Sequence, residues 1–152
     1  MEWESKVWGQ TRQVFEASDR SRHQLELLRG GFCSFHYHHH RSNLFIVESG
    51  KVRIVHTIGW QVFERVIGPG CADGATAVVA AEVAHQFQVL EAGEMIEEYY
   101  ATPGHDCHNQ DIYRFTTGGL LVADIATAIE DSGIIISENA FTGRDLRKAP
   151  YA

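Results

Sequence analysis

Short runs of β-prone residues, separated by turns that glycine marks, extend from residue 7 to about residue 117. In runs such as 43-NLFIV-47 and 85-HQFQV-89, every second side chain falls on the same face of a strand. The pattern predicts strands near 13–16, 24–28, 32–38, 43–48, 51–57, 60–66, 77–80, 85–90, 95–101 and 111–115. Many short strands at this spacing are typical of an all-β sandwich or closed barrel.

The C-terminal part has a different pattern. The run 120-LLVADIATAIEDSG-133 places Leu121, Ile125 and Ile129 on one helical stripe, with Gly133 suited to the end of a helix. The apolar segment 134-IIIS-137 follows. We therefore predict a β-barrel domain over residues 1–118 and a C-terminal extension over 119–152. This extension, a helix plus a short strand, would pack on the barrel or on the partner in a homodimer.

Composition excludes several classes of protein. The chain has 152 residues, a net charge of −7 and a pI near 5.7, which argues against a nucleic-acid partner. No apolar run approaches the roughly 20 residues that span a bilayer, so we expect no membrane association. The acidic start, MEWESKVWGQ, is not a signal peptide, and the three cysteines lie far apart. We expect a cytoplasmic protein.

Histidines carry the candidate chemistry, and they concentrate in the run 36-HYHHHRSN-43. Strand alternation puts His36 and His38 on one face, and Asn43 on the corresponding face of the next strand. His85 opens a later strand, although alternation alone cannot place it beside the other two. Neutral imidazole is the commonest protein ligand for transition metals.

The sequence also yields three smaller predictions. Cys33 lies an odd number of residues before His36 and should point away from its face. We expect residues 39–42 to turn the chain, with His39 and His40 facing solvent. We expect 105-HDCHNQD-111 to form a loop without a metal, since it lacks a second cluster to complete a zinc site.

The segment 31-GFCSFHYHHHRSNLFIVESG-50 resembles the first motif of the cupins. His36, His38 and Gly50 match that motif, and Asn43 stands where cupins usually have glutamate. Of the second cupin motif, only His85 is present. The resemblance implies a jelly-roll barrel, also called a double-stranded β-helix.

Within the cupins, the chain is most similar to the phosphomannose-isomerase-like branch. The segments 6-KVWG, 36-HYHHHRSNLF, 96-IEE and 110-QDIYRF resemble that branch's motifs in order, over roughly residues 6–117. Two departures are His36, where the branch has glutamine, and Asn43, where it has glutamate.

The resemblance implies a divalent transition metal (zinc, manganese, iron or nickel) on His36, His38 and His85, with Asn43 at the fourth position. Asn43 would coordinate through its carbonyl oxygen or only bind a metal-bound water. The resemblance also aligns Glu97 with a strand glutamate of the branch. We interpret Glu97 as an inward catalytic base; the alternative is that it faces solvent.

The substrate would contact Arg41, Tyr99 and Arg114, because an arginine can grip a phosphate or carboxylate through paired hydrogen bonds. Either arginine could instead serve in a surface or structural ion pair.

Three functions remain open from the sequence. The first is a metal-dependent, isomerase-like enzyme acting on a carbohydrate or sugar phosphate. The second is an iron-dependent cupin dioxygenase, and the third is a non-catalytic cupin that binds a small molecule.

Overall fold

A computed structural model describes residues 2–59 and 61–120, and these residues form strands and turns with no helix among them. The strands are β1 (Glu4–Lys6), β2 (Gly9–Glu16), β3 (Arg20–Leu27), β4 (Gly31–Phe32), β5 (His36–Tyr37), β6 (Arg41–Val47), β7 (Lys51–Ile58), β8 (Gln61–Ile67), β9 (Thr76–Val79), β10 (His85–Glu91), β11 (Gly93–Ala101), β12 (Tyr113–Arg114) and β13 (Gly119–Leu120).

Two antiparallel sheets build the barrel. One sheet has the order β1-β2-β3-β11-β6-β9. The other has the order β12-β5-β10-β4-β13, and β7 joins it by pairing with β10 on one side and with β8 on the other. Some neighbouring strands, such as β3 and β11, are distant in sequence, so the chain crosses over other strands to bring them together.

The core lies between the inner faces of the two sheets. Burial alternates along β6, where Arg41, Asn43, Phe45 and Val47 are buried and the residues between them are half-buried. Apolar side chains from both sheets fill the centre, among them Leu25, Ile54, Phe87 and Met95. The inner face of β6 is therefore polar at one end, where Arg41 and Asn43 lie, and apolar at the other.

The all-β barrel predicted from the sequence is confirmed. The predicted helix near 120–133 and the segment 134-IIIS-137 lie outside the described residues, as does the rest of the extension beyond Leu120. No helix that could cross a bilayer occurs in the described part of the chain.

The predicted strand 32–38 is interrupted. For this reason the prediction that Cys33 points away from the face of His36 is wrong. Residues 33–35 leave the regular ladder between β4 and β5, and the main-chain N–H of Phe35 bonds the hydroxyl of Thr116 at 2.9 Å. The interruption resets the alternation of side chains. Cys33 consequently lines the same cavity as His36.

The predicted turn over 39–42 is also shorter than expected. Only His39 and His40 form the bend, and β6 begins at Arg41, which pairs with Ala101 of β11. Arg41 is therefore a buried strand residue rather than part of an exposed turn.

The start of β11 packs tightly against the turn that follows β6. A Cβ atom on Gly93 would lie 2.0 Å from the main-chain oxygen of Ser49. We expect Gly93→Ala to lower the free energy of unfolding by about 3 kcal/mol, because the backbone must move to relieve the clash. Gly104→Ala is the control, since Gly104 has open space and only a positive φ of 84°, which costs about 1 kcal/mol. Urea unfolding measures both, and equal losses would contradict the packing described here.

Candidate metal centre

Strand pairing brings three histidines together. His85 of β10 lies directly opposite His36 of β5 in the register of the second sheet, and His38 follows β5. The ring centroids are 4.6 Å apart for His36 and His85, 4.9 Å for His36 and His38, and 5.4 Å for His38 and His85. One nitrogen from each ring lies within 4.8 Å of the other two.

Main-chain carbonyl groups orient all three rings. The Nδ1 atoms of His36, His38 and His85 lie 2.7, 2.6 and 2.9 Å from the carbonyl oxygens of Ser34, Asp111 and Val83. A carbonyl oxygen only accepts, so these short contacts assign the proton to each Nδ1 and leave a lone pair on each Nε2. The Nε of Arg41 lies 3.4 Å from the Nδ1 of His38, a longer and weaker contact than the 2.6 Å bond to Asp111.

The Nε2 atoms give a direct test of whether the site suits a metal. Those of His38 and His85 are buried and have no hydrogen-bond partner among the described residues. Buried polar atoms without partners are costly. A metal that accepts these lone pairs, with each Nδ1–H held by a carbonyl, is the usual arrangement of ligating histidines. The donor set fits a transition-metal ion.

Burial keeps these histidines neutral. It lowers the pKa of His36 to about 2, with a further lowering from His85 and His38, and it lowers the pKa of His85 to about 4. Burial and then the nearby Arg41 lower the pKa of His38 to about 3. Neutral imidazole is the form that binds metals.

Asn43 and Glu97 form a hydrogen-bonded pair beside the histidines. The Asn43 Nδ2 donates to Glu97 Oε2 at 2.9 Å, while the buried Oδ1 of Asn43 has no partner among the described residues. Glu97 Oε1 accepts from the hydroxyl of Tyr99 at 2.7 Å. Burial raises the pKa of Glu97, and the hydrogen bonds from Tyr99 and Asn43 oppose that rise. The structure thus places Glu97 inward, not in solvent.

Arg41 and Arg114 approach the site from different strands. The Arg41 guanidinium carbon lies 3.8 Å from the centroid of the Tyr99 ring, and its buried Nη1 has no partner in the described chain. Arg114 pairs with His36 in the register of β12 and β5, and its side chain is exposed. Both arginines line the cavity.

A cavity of about 760 Å³ reaches one side of this site, where His36, Arg41 and Glu97 line it. The lining residues do not include His38, His85 or Asn43. The wall of the cavity contains polar side chains, such as those of His36 and Glu97, next to the aromatic rings of Phe87 and Tyr99. Such a volume suits a small-molecule ligand.

Sequence reasoning missed His23, which also lines the cavity and packs edge-on against Tyr99 with ring centroids 5.5 Å apart. Its place depends on pairing with Glu97 across β3 and β11, a long-range contact that no local pattern reveals.

Sequence reasoning also missed the structural role of Asp111. Its carboxylate accepts hydrogen bonds from the main-chain N–H groups of His39 and His40, each at 2.9 Å, while its carbonyl orients His38. Asp111 therefore ties the loop 105–111 to the histidine run. Within the described residues, the group able to hold an ion consists of His36, His38 and His85 and includes no side chain of this loop.

The comparison with solved structures supports the fold. No family model and no curated protein sequence matches the chain. Among solved structures, oxalate decarboxylase from Bacillus subtilis aligns with a TM-score of 0.63 at 14% identity, over 75% of this chain and 30% of that one. The formate complex of oxalate decarboxylase from Lactobacillus farciminis aligns with a TM-score of 0.60 at 15% identity, over 75% and 33%.

Oxalate decarboxylases are cupins. The chain has the cupin fold. The likeness is one of architecture, since the chain spans about a third of the length of these structural neighbours. The Bacillus subtilis protein has Mn(II) centres. In the present cupin barrel, the group able to hold an ion within the described residues is His36, His38 and His85.

The lowered histidine pKa values predict acid sensitivity of the metal-free protein. In the unfolded chain these histidines titrate near 6.5, above their folded values of about 2 to 4. The unfolded state therefore binds more protons below about pH 6.5, and stability is lost as the pH falls. Between pH 7 and 5.5, we expect the free energy of unfolding to fall by about 1 kcal/mol for each of the three histidines.

Urea unfolding in the presence of a chelator measures this dependence. His85→Gln should flatten the slope, whereas His40→Gln, at an exposed position in the same run, should not. A wild-type stability that does not change between pH 7 and 5.5 would contradict the assignment of neutral, buried histidines.

Proposed function

We propose that this chain is a metal-binding cupin that acts on a small polar ligand. The observation that carries the proposal is the convergence of three buried imidazoles, with one nitrogen of each within 4.8 Å of the other two and each Nδ1 held by a carbonyl. His36, His38 and His85 would hold a divalent transition ion, with the free Oδ1 of Asn43 at the fourth position. When bound, such an ion supplies Lewis-acid chemistry that polarises a carbonyl oxygen or acidifies water.

Metal binding is tested by direct titration of chelator-treated protein. We expect wild type to bind one zinc ion per chain, because three neutral imidazoles favour that ion. His38→Ala removes a direct ligand and should weaken zinc binding by more than roughly 100-fold, since the loss of an outer partner alone costs up to that much.

The matched control is His40→Ala, which changes an exposed histidine two residues away and should bind zinc as wild type does. Equal affinities for wild type and His38→Ala would show that the ion binds elsewhere.

For the reaction, we propose an isomerase-like proton transfer on a carbohydrate or sugar phosphate. Glu97 is the candidate base, since its carboxyl group lies in the cavity wall and accepts two hydrogen bonds. A buried carboxyl group with a raised pKa is suited to removing a proton beside a carbonyl. Arg41 and Arg114 would bind the anionic group of the substrate, and the ring of Tyr99 would support Arg41.

Turnover of hexose phosphates by the zinc- or manganese-loaded protein tests this reaction. We expect activity in wild type and a loss of at least roughly 100-fold in kcat for Glu97→Gln, in line with the contribution of a general base. Glu94→Gln on the same strand is exposed and should retain activity.

Oxygen uptake by the iron-loaded protein would instead support the dioxygenase, a chemistry for which a three-histidine centre is suited. A tightly retained ligand with no turnover under any condition would support a binding protein.

We also propose that the protein forms a homodimer. Within residues 2–59 and 61–120, the paired neighbour of β8 is β7 alone. Three apolar side chains are exposed around this edge, those of Ile58, Val62 and Phe63. An unpaired strand edge with exposed apolar side chains is a ready surface for a second copy. A monomeric mass in light scattering would contradict this part of the proposal.

A further inference from the structure

The carboxyl group bonded to Asn43 belongs to the neighbouring strand. Asn43 itself, a buried residue of β6, carries a neutral amide. On the neighbouring strand β11, Tyr99 is directly opposite Asn43. Glu97 lies two residues before Tyr99 and is therefore diagonally opposite Asn43. The Asn43 amide links the two positions, since its Nδ2 donates to Glu97 at 2.9 Å.

Glu97 is held away from direct ligation. Both of its oxygens accept hydrogen bonds, one from Asn43 and one from Tyr99. Among the described residues, the three histidines have ligand atoms within 4.8 Å of one another. Glu97 is not part of that group. The Tyr99 ring in turn lies under the guanidinium of Arg41, which fixes the tyrosine.

The orientation of the Asn43 amide allows it to connect Glu97 with a bound ion. With Nδ2 committed to Glu97, the opposite atom of the planar amide, Oδ1, is left buried and free of partners in the described chain. A hydrogen bond from Nδ2 to a carboxylate polarises the amide and makes Oδ1 a better donor of electron density, as outer partners do for ligating groups.

We infer that Glu97 balances the charge of the metal from outside its ligand shell, acting through the Asn43 amide, and that the site therefore selects zinc-like ions over manganese. This inference rests on the metal binding proposed above. Glu97 and Tyr99 are positioning residues for Asn43 in this account.

Selectivity follows from the nature of the ligands. Imidazole suits zinc, nickel, copper and iron, whereas carboxylate and water suit manganese, which is also the weakest binder of the divalent series. A centre with three imidazoles and a neutral amide lacks the hard anionic ligand that favours manganese. Moving the carboxylate from residue 97 to residue 43 should restore that ligand.

The test measures Zn²⁺ and Mn²⁺ affinities of chelator-treated full-length protein by calorimetry, with free Mn²⁺ followed by electron paramagnetic resonance. Glu97→Gln should weaken Zn²⁺ binding roughly 10- to 100-fold, the usual effect of removing an outer partner. The exchanged double variant, Asn43→Glu with Glu97→Gln, should raise the affinity for Mn²⁺ relative to Zn²⁺ by roughly tenfold or more.

Two further variants test whether the effect comes from the hydrogen bonds of Glu97 or from the loss of any negative charge on β11. Tyr99→Phe keeps the ring but removes the hydroxyl that holds Glu97, and it should weaken Zn²⁺ binding several-fold. Glu94→Gln removes an exposed carboxylate from the same strand and should have no effect. Urea unfolding of each metal-free variant establishes that it is folded.

The possible outcomes distinguish a failure of this inference from a failure of the proposed metal binding. Wild-type protein that binds neither ion would overturn both. Wild type that binds Zn²⁺, with Glu97→Gln binding it equally well, would overturn only the outer charge balance. An unchanged preference between the two ions in the exchanged double variant would overturn the account of selectivity.

Discussion

The arrangement of the site depends on three hydrogen bonds from imidazole to the main chain. Each Nδ1–H is fixed by a carbonyl oxygen of Ser34, Asp111 or Val83, so a free nitrogen of each ring is left for a ligand. Ser34 and Val83 lie two residues before the histidines that they orient, whereas Asp111 lies 73 positions from His38. His36 and His85 meet only through the pairing of β5 with β10. The barrel therefore acts as a template for the centre, and the loop that carries Asp111 belongs to the site although it provides no metal-ligand side chain.

Electrostatics set the character of the cavity. Burial makes the three histidines neutral, and the carboxyl group of Glu97 lies on β11, where it is bonded to the Asn43 amide. Arg41 lies over Tyr99 with an unpartnered Nη1, so the cavity offers a cationic group to an anionic ligand close to the metal centre. A neutral ligand set and an adjacent cation together favour an anion at the open position of a bound ion.

The alternation of apolar and polar residues was enough to predict the all-β barrel, the common face of His36 and His38, and the strand that His85 opens. It could not place His85 beside His36, because the register between β5 and β10 links residues about fifty positions apart. Cys33 was misplaced because residues 33–35 leave the ladder, a local irregularity set by a bond to Thr116. The roles of His23 and Asp111 depend on contacts across the barrel in the same way, which strand alternation alone does not encode.

The first coordination shell of the metal-loaded protein tests the central claim most directly. X-ray absorption at the zinc edge, combined with anomalous diffraction from crystals, measures which atoms surround the ion. The account predicts an ion bonded to the Nε2 atoms of His36, His38 and His85 at about 2.0–2.1 Å, with no carboxylate oxygen among its protein ligands. An ion bound through Nδ1, a Glu97 oxygen in the first shell, or an ion bound outside the barrel would contradict it.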